Sequence, residues 1–274
     1  MRFADRLARA IGSSGSLLCV GLDPDPERLP AGVERTPEGV LGFCEATIEA
    51  TRAHAAAFKP NSAFFEAMGH EGIRALEGVR RAIPGDRIAI LDAKRGDIGN
   101  TARFYAAAAF EGMGFDAVTV SPYLGRESIL PFLERADRGA FVLCRTSNPT
   151  AVEVQGARVG DAPLYISIAK MVAAMGDGNA GLVVGATDPG AIAEVRHVAP
   201  ETPLLVPGVG AQGGEIGAAA EASATGPVLI NASRSVIFAS DGEDHAEAAG
   251  RAAEDLADAI DRLRPKKAGD GRRR

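Results

Sequence analysis

A chain of 274 residues, 46% hydrophobic and 24% charged, carries enough apolar material for one large buried core of the ordinary globular kind. Its formal net charge of −6, with no basic face outside the last few residues, argues against a nucleic-acid binder. No run of about 18 apolar residues exists to cross a bilayer, so membrane spans are excluded on length.

The N-terminal stretch Met1–Ala10 is amphipathic, alternates in charge and lacks the apolar core of a secretory leader. From there short apolar runs alternate with helical patterns. The predicted strands are Leu17–Leu22, Ala56–Lys59, Ile88–Asp92, Ala117–Val120, Ala140–Cys144, Gly181–Val184, Leu204–Val206 and Val228–Ile230. The predicted helices are Pro37–His54, Ile73–Ala82, Asn100–Gly112, Ser128–Arg135, Leu164–Met175, Pro189–Val198, Gly214–Ala222 and His245–Leu263. One strand followed by one helix is the rhythm of parallel strands joined by right-handed crossovers. An even count of eight favours closure into an α/β (β/α)₈ TIM barrel over an open, doubly wound sheet.

No linker rich in Pro, Gly or Ser divides the chain, so residues 1–264 read as a single barrel domain. Residues 265–274 are basic, contain no large apolar side chain to offset the cost of ordering, and read as a solvated, disordered tail. Cys19, Cys44 and Cys144 form no C-x-x-C pair and are expected as buried thiols in a reducing, cytoplasmic setting. His54, His70, His197 and His245 show no metal-ligand spacing, which leaves neither a metal site nor a Ser-His-Asp triad to propose.

In such barrels the active site lies at the C-terminal ends of the strands, and the unusual polar residues sit there. Strand by strand they are Asp23, then Lys59 with Asn61, then Asp92, Lys94 and Asp97, then Arg145 to Asn148, then Pro207 to Gly214, and finally Asn231 to Ser235. The third group is the sharpest. Alternation along a strand turns Asp92 and Lys94 to one face, where water would be scarce if that face is the interior. Two carboxylates, Asp92 and Asp97, flanking one ammonium would keep Lys94 charged. A fixed ammonium can stabilise a developing carbanion and then protonate it, and while protonated it cannot form a Schiff base. A structural salt-bridge cluster is the plain alternative, but burying three charges is a poor device for stability. Glycines after Pro207 let backbone N–H groups approach an anion, and Arg234 can fork onto phosphate oxygens, so the last two loops read as a phosphate site.

These motifs resemble those of the orotidine 5′-phosphate decarboxylase family. The residues that carry the resemblance are Asp92-Ala-Lys94-Arg-Gly-Asp97-Ile98-Gly-Asn-Thr101, Leu22-Asp23, Phe58-Lys59-Pro-Asn61, Thr146-Ser147-Asn148-Pro149, Pro207-Gly-Val-Gly-Ala-Gln212-Gly-Gly and Ser233-Arg234-Ser235. Phe-Lys-Pro-Asn and Thr-Ser-Asn-Pro are similar to the family's longer bacterial subfamily, and the likeness runs from about Met1 to Leu263. It implies conversion of orotidine 5′-phosphate to UMP and CO₂ in de novo pyrimidine synthesis, without metal or organic cofactor, by a homodimer. It further implies that Lys94 stabilises and protonates the C6 carbanion while Asp92 faces the departing carboxylate. Lys59 with Asp23 would bind ribose hydroxyls and complete the catalytic charge array, Ser147 would contact the pyrimidine edge, and Pro207, Gln212 and Arg234 the phosphate end. Asp97, Ile98 and Thr101 would reach the partner subunit's site. Either Ala211–Ile216 or Asn148–Pro163 would close over the substrate. Phe238 departs from the pattern, standing where some relatives place a Tyr. Two other readings stay open at this point: a metal-dependent sugar-phosphate decarboxylase or aldol lyase of the same barrel group, and a non-catalytic barrel that binds nucleotides.

Overall fold

A computed structural model describes residues 1–175, 177–209 and 216–265. Eight strands run parallel and close on themselves: β1 (Leu18–Leu22), β2 (Ala57–Pro60), β3 (Ile88–Arg95), β4 (Ala117–Val120), β5 (Gly139–Arg145), β8 (Ala180–Val184), β9 (Leu204–Val206) and β10 (Val228–Ala232). The order around the barrel is β1-β10-β9-β8-β5-β4-β3-β2, with helices following the strands on the outside. The fold is therefore the single-domain (β/α)₈ barrel that the alternation predicts. The cause lies in the strand composition. β1, β4 and β8 are buried at every position, because a parallel sheet is covered on both faces and tolerates only near-continuous apolar runs. Observed strand limits fall within two residues of the predicted ones, apart from β3, which continues to Arg95.

Several elements were not legible beforehand. A helix at Ser62–Glu66, capped by the Asn61 side chain, precedes the helix Gly69–Ala82. The predicted helix Asn100–Gly112 starts at Gly99 and passes into a wider π-helical turn at Ala108–Gly112. The segment after β5 folds into a short helix, Ala151–Gln155, and a small antiparallel hairpin, β6 (Arg158–Val159) with β7 (Ala162–Pro163). The basic tail expected at 265–274 lies outside the described residues from 266 onward.

The N-terminal stretch forms the helix Phe3–Ser14, which lies at the N-terminal end of the barrel. Phe3 meets the ring of Phe141 edge-on, 6.2 Å between centroids, and a Cβ at Gly139 would stand 2.5 Å from Phe3. Near the same end Arg6 donates to the buried Asp116 at 2.6 Å, and Arg80 and Arg138 approach that carboxylate within 3.9 Å. The buried guanidinium of Arg196 donates to the carbonyls of Ala199, Pro200, Thr202 and Pro227, tying together the turns that enter β9 and β10. These contacts tie the lower turns together, leaving the opposite rim free for chemistry.

Candidate active site

β3 loses register with β4 where its polar residues begin. The strands pair at Leu91–Val118 and meet again only at Arg95–Val120, so a four-residue step on β3 spans a two-residue step on β4. Asp92, Ala93 and Lys94 lie inside this bulge. Lys94 has φ of +48°, the one non-glycine residue in the left-handed region among the described residues. Simple alternation is therefore not what brings Asp92 and Lys94 together; the bulge re-aims the lysine, whose Nζ donates to Asp92 Oδ1 at 2.6 Å.

Lys59, at the end of β2, donates to the other oxygen, Asp92 Oδ2, at 2.7 Å. Burial alone would push this amine down, but the Asp92 carboxylate, with Asp23 further off, outweighs it and holds Lys59 above the usual lysine value. The same balance acts on Asp92. Burial would raise it, yet the two ammoniums hold its carboxyl well below the usual carboxylate range. The order of charge is thus Lys–Asp–Lys.

Here the structure corrects the expectation of two acids around one amine. Among the described residues the ion pairs of Lys59 and Lys94 run to Asp92 alone. Asp97 accepts instead from the backbone N–H of Ile98 at 2.8 Å, because the chain turns at Gly96 and carries it into the start of the helix Gly99–Ala107. Lys94 is also not dry: its side chain is 49% exposed, against 12% for Asp92. Ile98 is exposed beside it, with Asp97 and Thr101 half-buried on the same rim.

Beside β2 in the barrel, β1 and then β10 present a second set of polar groups. Asp23 Oδ1, Asn231 Oδ1 and Ser233 Oγ are buried and have no hydrogen-bond partner among the described residues. Leaving such a group unmade costs about 1–3 kcal/mol, so three at one strand junction mark a place that a polar ligand or water would complete. Gly21 makes room for them: a Cβ there would lie 2.7 Å from Ser233 Cβ and 3.2 Å from Asn231 Oδ1. Arg234 is exposed at the first turn of the short helix Arg234–Ile237, and no carboxylate of the described residues pairs with it. Pro207 is half-buried and accepts from the Ala186 N–H at 2.8 Å. Gln212, and most of the loop Ala211–Ile216, lie outside the described residues. Phe238, which replaces the expected hydroxyl, stacks on Phe43 and receives the Arg28 guanidinium at 4.6 Å, so it serves packing.

Ser147 is half-buried and lines a cleft with Arg145, Asn148, Pro149, Thr187 and Asp188. Its loop is fastened by Gln155, whose Oε1 accepts from the Thr146 N–H at 2.8 Å and whose Nε2 donates to Thr146 Oγ1 at 3.1 Å. Gly185 lets the loop approach, since a Cβ there would stand 2.8 Å from Ser147 N.

Sequence reasoning missed Thr119 and Gln155, because Thr119 hides in an ordinary β-branched run and Gln155 in a polar loop, whereas Asn231, polar at the end of an apolar strand, stood out in the last polar group. The cysteines are buried free thiols, and burial pushes Cys19 and Cys144 up to about 12 and Cys44 further still, which suits packing and not nucleophilic use. Among the described residues no three His, Cys, Asp or Glu gather as metal ligands would, and no helix is long and apolar enough to cross a membrane.

Comparison with known proteins places this chain in a family. The model of the "Orotidine 5'-phosphate decarboxylase / HUMPS family" matches residues 16–249. The chain is 49% identical to an orotidine 5′-phosphate decarboxylase of Thermomicrobium roseum, covering 98% of both chains. It is similar to the structure of the OMP decarboxylase of Leishmania donovani, with a TM-score of 0.83, 40% identity, and coverage of 96% of this chain and 99% of that one. It is also similar to the UMP synthase of the same organism, with a TM-score of 0.85 and 42% identity over 96% of this chain, where it spans 56% of that longer chain.

Proposed function

Since the chain belongs to the orotidine 5′-phosphate decarboxylase / HUMPS family, we propose that it converts orotidine 5′-phosphate to UMP and CO₂, a carboxy-lyase step of pyrimidine biosynthesis. The observation that carries the reading is the Lys59–Asp92–Lys94 array at the barrel mouth.

The chemistry asks for such an array. When the bond from C6 to the carboxylate breaks, CO₂ leaves and the electron pair stays on C6 in the ring plane, where the π-system cannot accept it. Fixed positive charge is the main help available. Lys94, paired with Asp92 but half-exposed at the mouth, is the amine a substrate can reach; its Nζ gives a proton to C6, and water returns one to the amine. Lys59 is spent on Asp92 and holds the carboxylate in place. Asp92 would sit against the departing carboxylate. Asp23, whose buried Oδ1 has no donor among the described residues, suits a ribose hydroxyl. Arg234 and the Pro207 loop with Gln212 would take the phosphate, and Ser147 the pyrimidine edge. The phosphate, remote from the breaking bond, supplies binding energy that holds this geometry.

The active form in this reading is a homodimer. Two ammoniums on one carboxylate leave a positive charge uncompensated, and Asp97, turned away from its own lysine, is available to a second copy, with Ile98 and Thr101 beside it. Exposed apolar side chains favour this: Ile98 at 66% exposure caps the helix Gly99–Ala107, Phe104 at 71% lies on it, and Tyr123 at 84% precedes the segment 126–133 on which that helix packs. Three buried thiols suit a cytoplasmic enzyme.

The test is an ultraviolet assay of orotidine 5′-phosphate with the purified protein, with and without EDTA. Loss of substrate absorbance with stoichiometric UMP, unchanged by the chelator, is the expected result. Binding of UMP without turnover would favour a nucleotide-binding barrel, and loss of activity in EDTA a metal-dependent lyase.

A further inference from the structure

The bulge that aims Lys94 has a cost, and one side chain meets it. The N–H groups of Ala93 and Lys94 fall inside the stretch where β3 and β4 are out of register, so the ladder offers them no carbonyl. Both donate instead to one atom of β4, Thr119 Oγ1, at 3.0 and 2.9 Å. That hydroxyl in turn donates to Asp92 Oδ1 at 2.9 Å, the oxygen that also receives Lys94 Nζ. A hydroxyl has two acceptor lone pairs and one hydrogen, and here all three are used, which fixes the direction of its proton. Thr119 is 2% exposed, so water cannot stand in for it.

We infer that Thr119 is a positioning residue for the decarboxylation: it holds Lys94 in its left-handed backbone conformation and orients the Asp92 carboxylate between the two amines. A left-handed conformation is unfavourable for a non-glycine residue and persists only where the surroundings impose it. Thr119 is the group that imposes it, and it acts without touching substrate. The inference rests on the reading that Lys94 meets the charge developing at C6.

The experiment compares Thr119→Val, which keeps the shape and removes the hydroxyl, with Thr119→Ser, which keeps the hydroxyl. For each, kcat for orotidine 5′-phosphate, Kd for UMP and thermal stability are measured beside wild type and Lys94→Ala. The valine variant should lose about a hundredfold in kcat, the scale of hydrogen bonds to a charged group, while UMP binds within about threefold of wild type. The serine variant should keep kcat within about fivefold. In a Lys94→Ala background the valine change should add little, because its effect passes through that lysine. Valine activity near wild type, or serine and valine falling equally, overturns the inference. So does a parallel fall of kcat and UMP affinity in the valine variant, the mark of general loosening. If valine does not yield folded protein, Thr119→Ala against Thr119→Ser decides on the same criterion. An active Lys94→Ala would instead sink the reading beneath it, which keeps the two failures apart.

Discussion

Replacing Asp92 with Asn keeps its shape and removes the charge that separates Lys59 from Lys94, whose amines it holds at 2.7 and 2.6 Å. Breaking a buried pair from one side costs about 3–5 kcal/mol, so Asp92→Asn should be less stable than wild type by roughly that much at neutral pH. The pH dependence has a definite sign. Asp92 is depressed in the folded state, so its contribution is complete above the ordinary value of 3.8 and is lost as pH falls below it. Lys59 is raised, so its contribution is complete below 10.5 and is lost as pH climbs past that point. Urea unfolding at several pH values should show the gap between wild type and Asp92→Asn constant at mid-range and shrinking in acid. A gap that does not change down to strongly acid pH would contradict the pairing. At this scale the sequence was legible where chemistry clashed with burial: a lysine and an aspartate ending apolar strands stand out. Thr119 did not, because threonine is a common strand former and nothing local marks which one has an unpaired backbone to serve. Alternation put Asp92 and Lys94 together for the wrong reason, since a bulge is a tertiary feature that a two-residue period cannot show.

The loop after β5 shows what an element can add that its residues do not announce. Gln155, at the end of the short helix Ala151–Gln155, reaches back nine residues to fasten Thr146 and so presents Ser147 at the rim. Gln155→Ala should raise KM for orotidine 5′-phosphate by about tenfold with a smaller effect on kcat, as expected for one lost hydrogen-bonded brace under a substrate contact. Gln155→Glu should stay near wild type, because a carboxylate still accepts from the Thr146 N–H and can accept the Thr146 hydroxyl hydrogen. Steady-state kinetics on the two variants checks this; an unaffected alanine variant would remove Gln155 from the account. The eight strands were legible because continuous burial on both faces demands continuous apolar runs. The helix Ser62–Glu66, the π-helical turn and the β6–β7 hairpin were not, being too short for a periodicity to register and fixed by contacts made only in the folded barrel.

The whole molecule divides its charges between two ends. Near the N-terminal ends of the strands Asp116 gathers Arg6, Arg80 and Arg138, while at the other rim Asp92 gathers Lys59 and Lys94. Only the second set is left open, and in the proposed dimer Asp97 of each copy completes the other's rim. Lys94→Ala and Asp97→Ala should each be nearly inactive alone. When the two are mixed and allowed to exchange subunits, hybrid dimers carry one rim with both residues intact, so activity should reappear. No recovery despite demonstrated exchange would contradict the shared site. The most direct measurement is simpler: the rate of CO₂ release from orotidine 5′-phosphate by Lys94→Ala, alongside its affinity for UMP. The variant should bind UMP and fail to decarboxylate; a folded Lys94→Ala protein releasing CO₂ at the wild-type rate would contradict the claim that this ammonium meets the charge left on C6.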